Sequence, residues 1–423
     1  MHYFKYCGKQ KLTGGILEIM STRYDLRNNT RVTRKDKTEA AYRAMIDGYL
    51  HCGEDSIFFY WKGRVALYAL LKAMGVGPGD EVIVQGFTCI VVPNAIIYLG
   101  ATPIYADIDT DTYNLNMKSL RSKISEKTKV IICQNTFGLS SNLEEISLIT
   151  KDCTERYGHT VYSIEDCTHG FGGKYKGKPN GISCDASFFS TQWSKPFSTG
   201  LGGFCAVHNE TIKQALVEIN GELLQPGFLE QAELKLMYSI RKLLVNDVTY
   251  WPMVRLYRWM SRHNIVLGSS SGEETSGIKM PKEYFKAQSA VQFSKGIRSL
   301  KKLEKLNRLR RNNALAYTDY LKSRNKHYVS HELFADHIFI RYPLLVNDRT
   351  RFREEAERKK IILGEWFEAP IYPTSGDLSE WKLDTEQLPN AMYVCEHIVN
   401  LPTETKDPGK VISFLKEHDD LVI

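Results

Sequence analysis

Apolar and polar residues follow two different periods through the first half of this chain, and the period switches repeatedly. "SIFFYW" (56–61) is an unbroken apolar and aromatic run of strand length, which predicts a buried strand. In "RVALYALLKAMG" (64–75) the apolar residues recur three and four apart before a glycine stop, which predicts an amphipathic helix. After the turn "GPGD" come a strand at "EVIVQ" (81–85), a helix at "IVVPNAIIYLG" (90–100), a strand at "PIYADI" (103–108) and a helix at "NMKSLRSKIS" (116–125). The alternation continues with the strand "VIICQ" (130–134), the helix "NLEEISLITKDCTERYG" (142–158), and the strands "TVYSIED" (160–166) and "DASFFS" (185–190). Strands joined through helices need crossover connections, so the expected fold class is α/β, with a mostly parallel sheet and helices on both faces. Ligands of such sheets bind outside the carboxyl ends of the strands, and the residues that follow each strand become the candidates for chemistry.

Three strand ends stand out. Lys62, Gly63 and Arg64 follow the first strand and open a helix, where backbone N–H groups and the helix dipole can hold a phosphate; a glycine needed only for the turn is the competing reading. "EDCTHG" places Asp166 and His169 just past another strand, against the alternative of an ordinary strand-end acid and a surface histidine. "DASFFS" runs into Ser190, Thr191, Gln192, Lys195, Thr199 and the glycines of Gly200-Leu201-Gly202-Gly203. A dinucleotide-binding GxGxxG is excluded, because Cys205 takes the third glycine position and a strand-like "FCAVH" follows where a helix is required. Taken together, the parts describe a lysine that forms a Schiff base with pyridoxal phosphate (PLP). Such a lysine needs a phosphate cradle of small and hydroxyl residues, and an acid that keeps the pyridine nitrogen protonated. Lys195 supplies the amine, Asp166 the acid, and Ser190 with Gly63 and Arg64 the cradle.

Composition narrows the setting. The chain has 423 residues, 43% of them hydrophobic and 11% aromatic, enough for a large core and a smaller second one. The net charge of +7 is made of both signs spread along the chain, so it leans only weakly toward phosphorylated substrates. Nine cysteines, an odd number without a CxxC pair, point to a reducing, cytoplasmic setting. No apolar run reaches the roughly 20 residues that span a bilayer. The basic stretch 297–326 carries no nucleic-acid-binding motif and is expected to be one long helix with a solvated face. No metal-ligand spacing appears.

These blocks resemble the DegT/StrS family of PLP-dependent nucleotide-sugar aminotransferases. The resemblance spans about residues 55 to 210 and 277 to 405, and it rests on "MGVGPGDEVIVQGFTCIVVPNAIIYLGATPIYADIDTDTYNLN", "IEDCTHGFGGKYKGKPNG", "SFFSTQWSKPFSTGLGG" and "LPNAMYVCEHIVNLP". It implies the fold type I aminotransferase architecture: a sheet of the seven-stranded type with a smaller C-terminal α+β domain. The expected division is an N-terminal arm (1–54), a large cofactor-binding domain (55–275) and a small domain (276–423). The resemblance further implies that Asp166 pairs with the pyridine nitrogen, that His169 approaches the ring hydroxyl and that Ser190 touches the phosphate, with Gly63, Arg64, Thr88, Cys89 and Gln192 completing the cofactor site around Lys195. The implied activity moves an amino group from an amino acid, glutamate in this reading, to the keto group of a nucleotide-linked sugar, in a homodimer with its active sites at the subunit interface. The alternatives are a non-catalytic or regulatory PLP-binding protein of the same fold and an aminotransferase acting on a non-sugar carbonyl.

The chain departs from the family at several points. Cys89 follows Thr88 where members carry an aromatic that stacks on the cofactor ring, and Phe87 is the substitute at hand. Lys62-Gly63-Arg64 replaces the usual Ser-Gly-Thr, and Gly277 and Lys279 replace an asparagine and an arginine. Residues 216–275 look inserted, and "LKLMYSIRKLLVNDVTYWPMVRLYRWMSRHN" (234–264) is basic and aromatic with apolar residues at helical spacing. Such a segment is expected to pack on the body of the protein or on the dimer partner. Weak peripheral contact with anionic lipid, or a wall of an enlarged substrate pocket, are its other readings. Beyond 335 the pattern predicts a strand in "DHIFIRYPLLV", a helix in "RTRFREEAERKK" and a strand in "IIL".

Overall fold

In the computed structural model, which describes residues 34–244, 277–374 and 377–423, seven strands form the central sheet: β1 (Ile57–Tyr60), β2 (Glu81–Gln85), β3 (Thr102–Ala106), β4 (Thr128–Gln134), β5 (Tyr162–Asp166), β6 (Ala186–Ser190) and β7 (Gly203–Val207). Their spatial order is β1-β7-β6-β5-β4-β2-β3. Only β7 runs against its neighbours; the pairs from β6 to β3 are parallel. Because β7 is antiparallel to both β1 and β6, the carboxyl end of β1 falls on the same side of the sheet as those of β5 and β6. That geometry gathers Gly63, Asp166, Ser190 and Lys195 at one end.

Four of the crossovers are helical, as the patterning predicts, while the connection from β5 to β6 holds only a short hairpin of Lys174–Tyr175 with Lys178–Pro179. These helices are α2 (Gly63–Ala73), α3 (Val91–Ile97), α4 (Met117–Ser122) and α5 (Leu143–Tyr157), with α1 (Arg34–Leu50) preceding the sheet. In α5 the buried side is Leu143, Ile146, Ile149 and Cys153, while the Asn142 side chain accepts from the Glu145 N–H and Gly158, at φ 71°, closes the helix in the left-handed region. α1 had no signal in the apolar pattern; it buries Tyr42 and Ile46 against Phe59 and Phe293.

After β7 come α6 (Glu210–Ile219) and α7 (Phe228–Leu244), then, past residues not described, α8 (Ala290–Leu300) and α9 (Leu303–Ser323). The expected single helix over 297–326 is therefore two, parted at Lys301 and Lys302. The break has a packing reason: α8 buries Phe293 and Leu300 in the core it shares with α1, whereas α9 buries Tyr317 and Leu321 in a second core. That second core lies on the antiparallel pair β8 (Tyr342–Leu345) and β9 (Ile398–Leu401) and is covered by α10 (Arg349–Arg358) and α12 (Pro408–Glu417), with α11 (Pro389–His397) leading into β9. The expected strand at "IIL" does not form; Gly364 makes only an isolated bridge to Asn400. A short parallel pairing of Thr88–Cys89 with Ile371–Tyr372 ties this C-terminal part to the sheet end. Eight cysteines among the described residues are free thiols, and no helix among those residues is long and apolar enough to cross a membrane.

Candidate active site

The lysine loop leaves β6 at Ser190 and returns at Gly203, closed by backbone bonds from Thr191 N–H to the Gly202 carbonyl (2.9 Å) and from Thr199 N–H to the Thr191 carbonyl (2.8 Å). The Thr191 and Thr199 hydroxyls lie 2.5 Å apart inside it. A side chain on Gly202, at φ +150°, would sit 2.3 Å from the Thr199 hydroxyl, so the glycine run is a steric requirement of the loop. Within it the Lys195 N–H donates to the Gln192 carbonyl (3.1 Å), and Arg310 fixes the next residue from outside. Its guanidinium, wholly buried, donates to the Pro196 carbonyl (3.1 Å), to Asn307 Oδ1 (2.8 Å) and to Glu404 Oε1 (2.6 Å). Trp193 packs edge-on against Tyr238 of α7 (4.7 Å), with the Arg241 guanidinium 5.0 Å over its ring.

Around the lysine the electrostatics are uneven. Burial pulls the Lys195 pKa below its ordinary value, and Arg64 adds to that, while Cys89 and Asp166 oppose it. Burial also raises the Asp166 carboxyl, against the Thr168 N–H that donates to Oδ1 at 2.9 Å and against the charge of Lys195. His169 is pushed well below the usual imidazole range by burial, Lys195 and Arg341, so it is neutral at pH 7. Its Nδ1 is buried without a hydrogen-bond partner, which leaves one polar atom unsatisfied in a ring close enough to Lys195 to feel its charge.

The phosphate cradle expected from the sequence has a physical form. A Cβ on Gly63 would lie 2.9 Å from that of Ser190, and one on Gly203 would lie 2.3 Å from the Gly63 Cα. Only a glycine pair lets the start of α2 approach the end of β6 this closely. No side chain caps α2 at Lys62, and Arg64 and Ser190 are both buried beside it. The amine, the acid, an unsatisfied imidazole and an uncapped helix start thus lie at one end of the sheet, and their donor chemistry fits PLP.

Of the other expected members, Cys89 is near enough to Lys195 to act on its charge, while Thr88 and Gln192 are tied to partners of their own. Thr88 is buried and donates to Gln134 Oε1 (2.7 Å), Cys89 is half-exposed in the short pairing with Tyr372, and Gln192 is half-exposed in an isolated bridge to Gly200. Phe87 does not face the site. It is fully buried, with its ring against Phe367 (5.2 Å), Phe137 (6.3 Å) and Tyr113 (6.4 Å). The sequence reading missed Trp366, Arg341 and Arg310. Trp366 stacks on His169 (4.4 Å) and lies 4.7 Å from Lys195 Nζ, and Arg341 stands 5.9 Å over the same indole. Trp366 falls on a loop, Arg341 in a run read only as a strand and Arg310 on a long helix, and in none of these does the pattern mark a site.

Of the inserted segment, residues 216–244 are described, and most of them form α7. It packs Leu234 and Tyr238 onto Trp61, Trp193, Leu201 and Val291, but leaves Leu236 59% and Ile240 37% exposed. Of the packing expected on the body or on a dimer partner, α7 thus shows one apolar helix face seated on the body. The remainder, 245–276, lies outside the described residues.

The sequence model of the DegT/DnrJ/EryC1/StrS aminotransferase family matches residues 51–234 and 285–408. GDP-perosamine synthase of Escherichia coli O157:H7 is 38% identical over 160 residues, 38% of this chain and 42% of that protein. UDP-2-acetamido-2-deoxy-3-oxo-D-glucuronate aminotransferase of Pseudomonas aeruginosa is 38% identical over 162 residues, covering 37% and 42%. The chain thus spans less than half the length of these curated relatives in alignment. Among solved structures, the sugar aminotransferase CalS13 of Micromonospora echinospora superposes with a TM-score of 0.67 at 21% identity, over 90% of this chain and 91% of its own. NtdA of Bacillus subtilis, solved with bound cofactor PMP, gives 0.65 at 19% identity, over 90% and 76%. At these identities the structural likeness establishes the fold, that of fold type I aminotransferases.

Proposed function

The chain belongs to the DegT/DnrJ/EryC1/StrS aminotransferase family, and given that membership we propose that it is a PLP-dependent aminotransferase. It moves an amino group from an amino acid, glutamate in our reading, to the keto carbon of a nucleotide-linked sugar. When bound, PLP supplies an electron sink and carries the amino group between the two substrates. The observation that carries this reading is the convergence of the Lys195 amine, the Asp166 carboxyl and the unpartnered Nδ1 of His169 at one end of the sheet. The sugar is taken from the two curated relatives, each named for work on a nucleotide-linked sugar.

Each residue takes a role from its surroundings. Lys195, with its amine biased toward the neutral form, is the nucleophile and afterwards the proton carrier. Asp166 gives a buried carboxylate for a pyridinium nitrogen, an opposite charge that offsets the burial now raising its pKa. His169, neutral, offers Nδ1 to the ring hydroxyl. Ser190, Gly63 and Arg64 seat the phosphate, the guanidinium by charge-assisted hydrogen bonds, and Thr88, Cys89 and Gln192 complete the rim. We further propose the division into an arm (1–54), a cofactor-binding domain (55–275) and a small domain (276–423), a cytoplasmic setting, and a two-fold homodimer. Light scattering checks the last: a fully active monomer at micromolar concentration contradicts it.

The acceptor is tested with the protein first aminated by glutamate, then freed of it and offered a panel of ketosugar nucleotides. Return of the PLP absorbance with one sugar, matched by an aminosugar product, is the expected result. Return with 2-oxo acids alone overturns the sugar assignment.

A further inference from the structure

Trp366 is held more firmly than a loop residue in transit between two elements requires. Its N–H donates to Asn400 Oδ1 (2.9 Å), and its carbonyl accepts from Asn400 Nδ2 (2.6 Å). Asn400 is itself fully buried on β9. Flanking Trp366 in the chain, Glu365 and Glu368 are drawn to one guanidinium, Arg353, at 3.0 and 2.7 Å, and the Tyr372 hydroxyl donates to Glu365 (3.1 Å). The backbone on which the indole stands is therefore fixed from three directions.

The indole faces the chemistry. Lys195 Nζ lies 4.7 Å from its ring centre, so a flat group tethered to that nitrogen starts out beside it. His169, whose Nδ1 lacks a partner, is stacked on the same indole at 4.4 Å and 20°, and Phe367 continues the layer nearly parallel to His169, at 9°. A 4.4 Å separation leaves no room for a further ring between indole and imidazole, so a planar ligand has to lie on the part of the half-buried indole that His169 leaves uncovered. The other candidates for an aromatic face do not qualify: Phe87 is shut into the core among Tyr113, Phe137 and Phe367, and Cys89 has no ring.

We propose that Trp366, contributed by the C-terminal part of the chain, is the positioning residue that supplies the aromatic face for the cofactor ring at Lys195. This rests on the aminotransferase reading above. A heteroaromatic ring gains by offset stacking on an indole beyond simple area burial. A wall that arrives from the C-terminal part also makes cofactor retention depend on how that part is seated, through Asn400 and Arg353.

The test titrates PLP into cofactor-stripped protein and follows both the binding isotherm and the quenching of tryptophan emission. Trp366→Phe, which keeps a smaller ring, is expected to weaken PLP roughly two- to fivefold and Trp366→Ala roughly tenfold or more. Trp366→Phe should also remove the largest share of the quenching that accompanies loading, a signature that a merely structural residue does not carry. Cys89→Ala is expected to change PLP affinity less than Trp366→Ala does. If Trp366→Ala yields too little folded protein, Trp366→Phe decides through its quenching. Both tryptophan variants loading with parental affinity and unaltered quenching, or Cys89→Ala proving the more damaging, overturns the proposal while leaving the aminotransferase reading intact. A parent protein that takes up no PLP overturns both.

Discussion

Asp166, Ser190 and the start of α2 stand at the ends of strands paired in one sheet, whereas Arg341, Trp366 and Glu404 stand on segments flanking β8 and β9. The two walls of the site differ in how their positions are fixed. The strand-end wall is set by ladder register: Gln134 pairs with Asp166, and Phe188 sits opposite Asp166 on the other side. A one-residue slip would turn every side chain to the other face. The C-terminal wall is set by individual side-chain bonds, such as those of Asn400 to Trp366 and of Arg310 to Pro196. Register tolerates nothing, while side-chain clamps can be exchanged one at a time. The difference suits a site whose bond-making parts must stay fixed while its contact with substrates varies.

If this contrast is right, damage to the first wall removes chemistry and damage to the second shifts affinity and stability. The largest effect is expected for Lys195→Ala, which should abolish turnover in a coupled aminotransferase assay while the fold, checked by circular dichroism, remains. Asp166→Ala comes next. Removing one partner of a buried charge pair costs about 3–5 kcal/mol, so PLP affinity measured by titration should fall by more than a hundredfold, with nearly all activity lost. Transamination at close to the parent rate would show that Asp166 does not face the ring nitrogen.

A smaller effect is expected for Arg310→Met, which leaves the Pro196 carbonyl and Glu404 without their donor. Glu404 is 48% exposed and recovers water, so the loss should be about 2–3 kcal/mol in urea unfolding, with faster release of PLP. Arg310→Lys should recover only part, because an ammonium cannot make the forked contact.

The smallest effect concerns Asp166 in the cofactor-free protein. Burial raises its folded pKa above the ordinary 3.8, so the folded state holds the proton more tightly than the unfolded state. Stability therefore falls as pH climbs from about 3.8 through the raised folded value and stays lower above it. Asp166→Asn does not titrate; without PLP it should melt above the parent at neutral pH, with the gap closing in acid. Equal melting temperatures across that window would show that the carboxyl is not strained in the empty site.

The same contrast decides what could be read in the sequence. Strand and helix periods located β1 to β7 and the crossover helices, and the lysine, acid and glycine blocks follow strand ends, where chemistry in a parallel sheet is expected. Trp366 sits outside any regular period, Arg341 lies in a stretch that reads only as a strand, and Arg310 lies in a basic helix whose pattern reads as a solvated face although the side chain is wholly buried. The break between α8 and α9 escaped notice because Lys301 and Lys302 are good helix formers; the turn is imposed by the two cores on which the helices pack. Phe87 looked available for stacking because sequence distance from Cys89 says nothing about the side to which a ring turns.

The most direct measurement is borohydride reduction of the PLP-loaded protein followed by peptide mapping. The account predicts a yellow protein that bleaches on reduction and carries one pyridoxyl group, on Lys195. An adduct on another lysine, or no covalent cofactor at all, contradicts it.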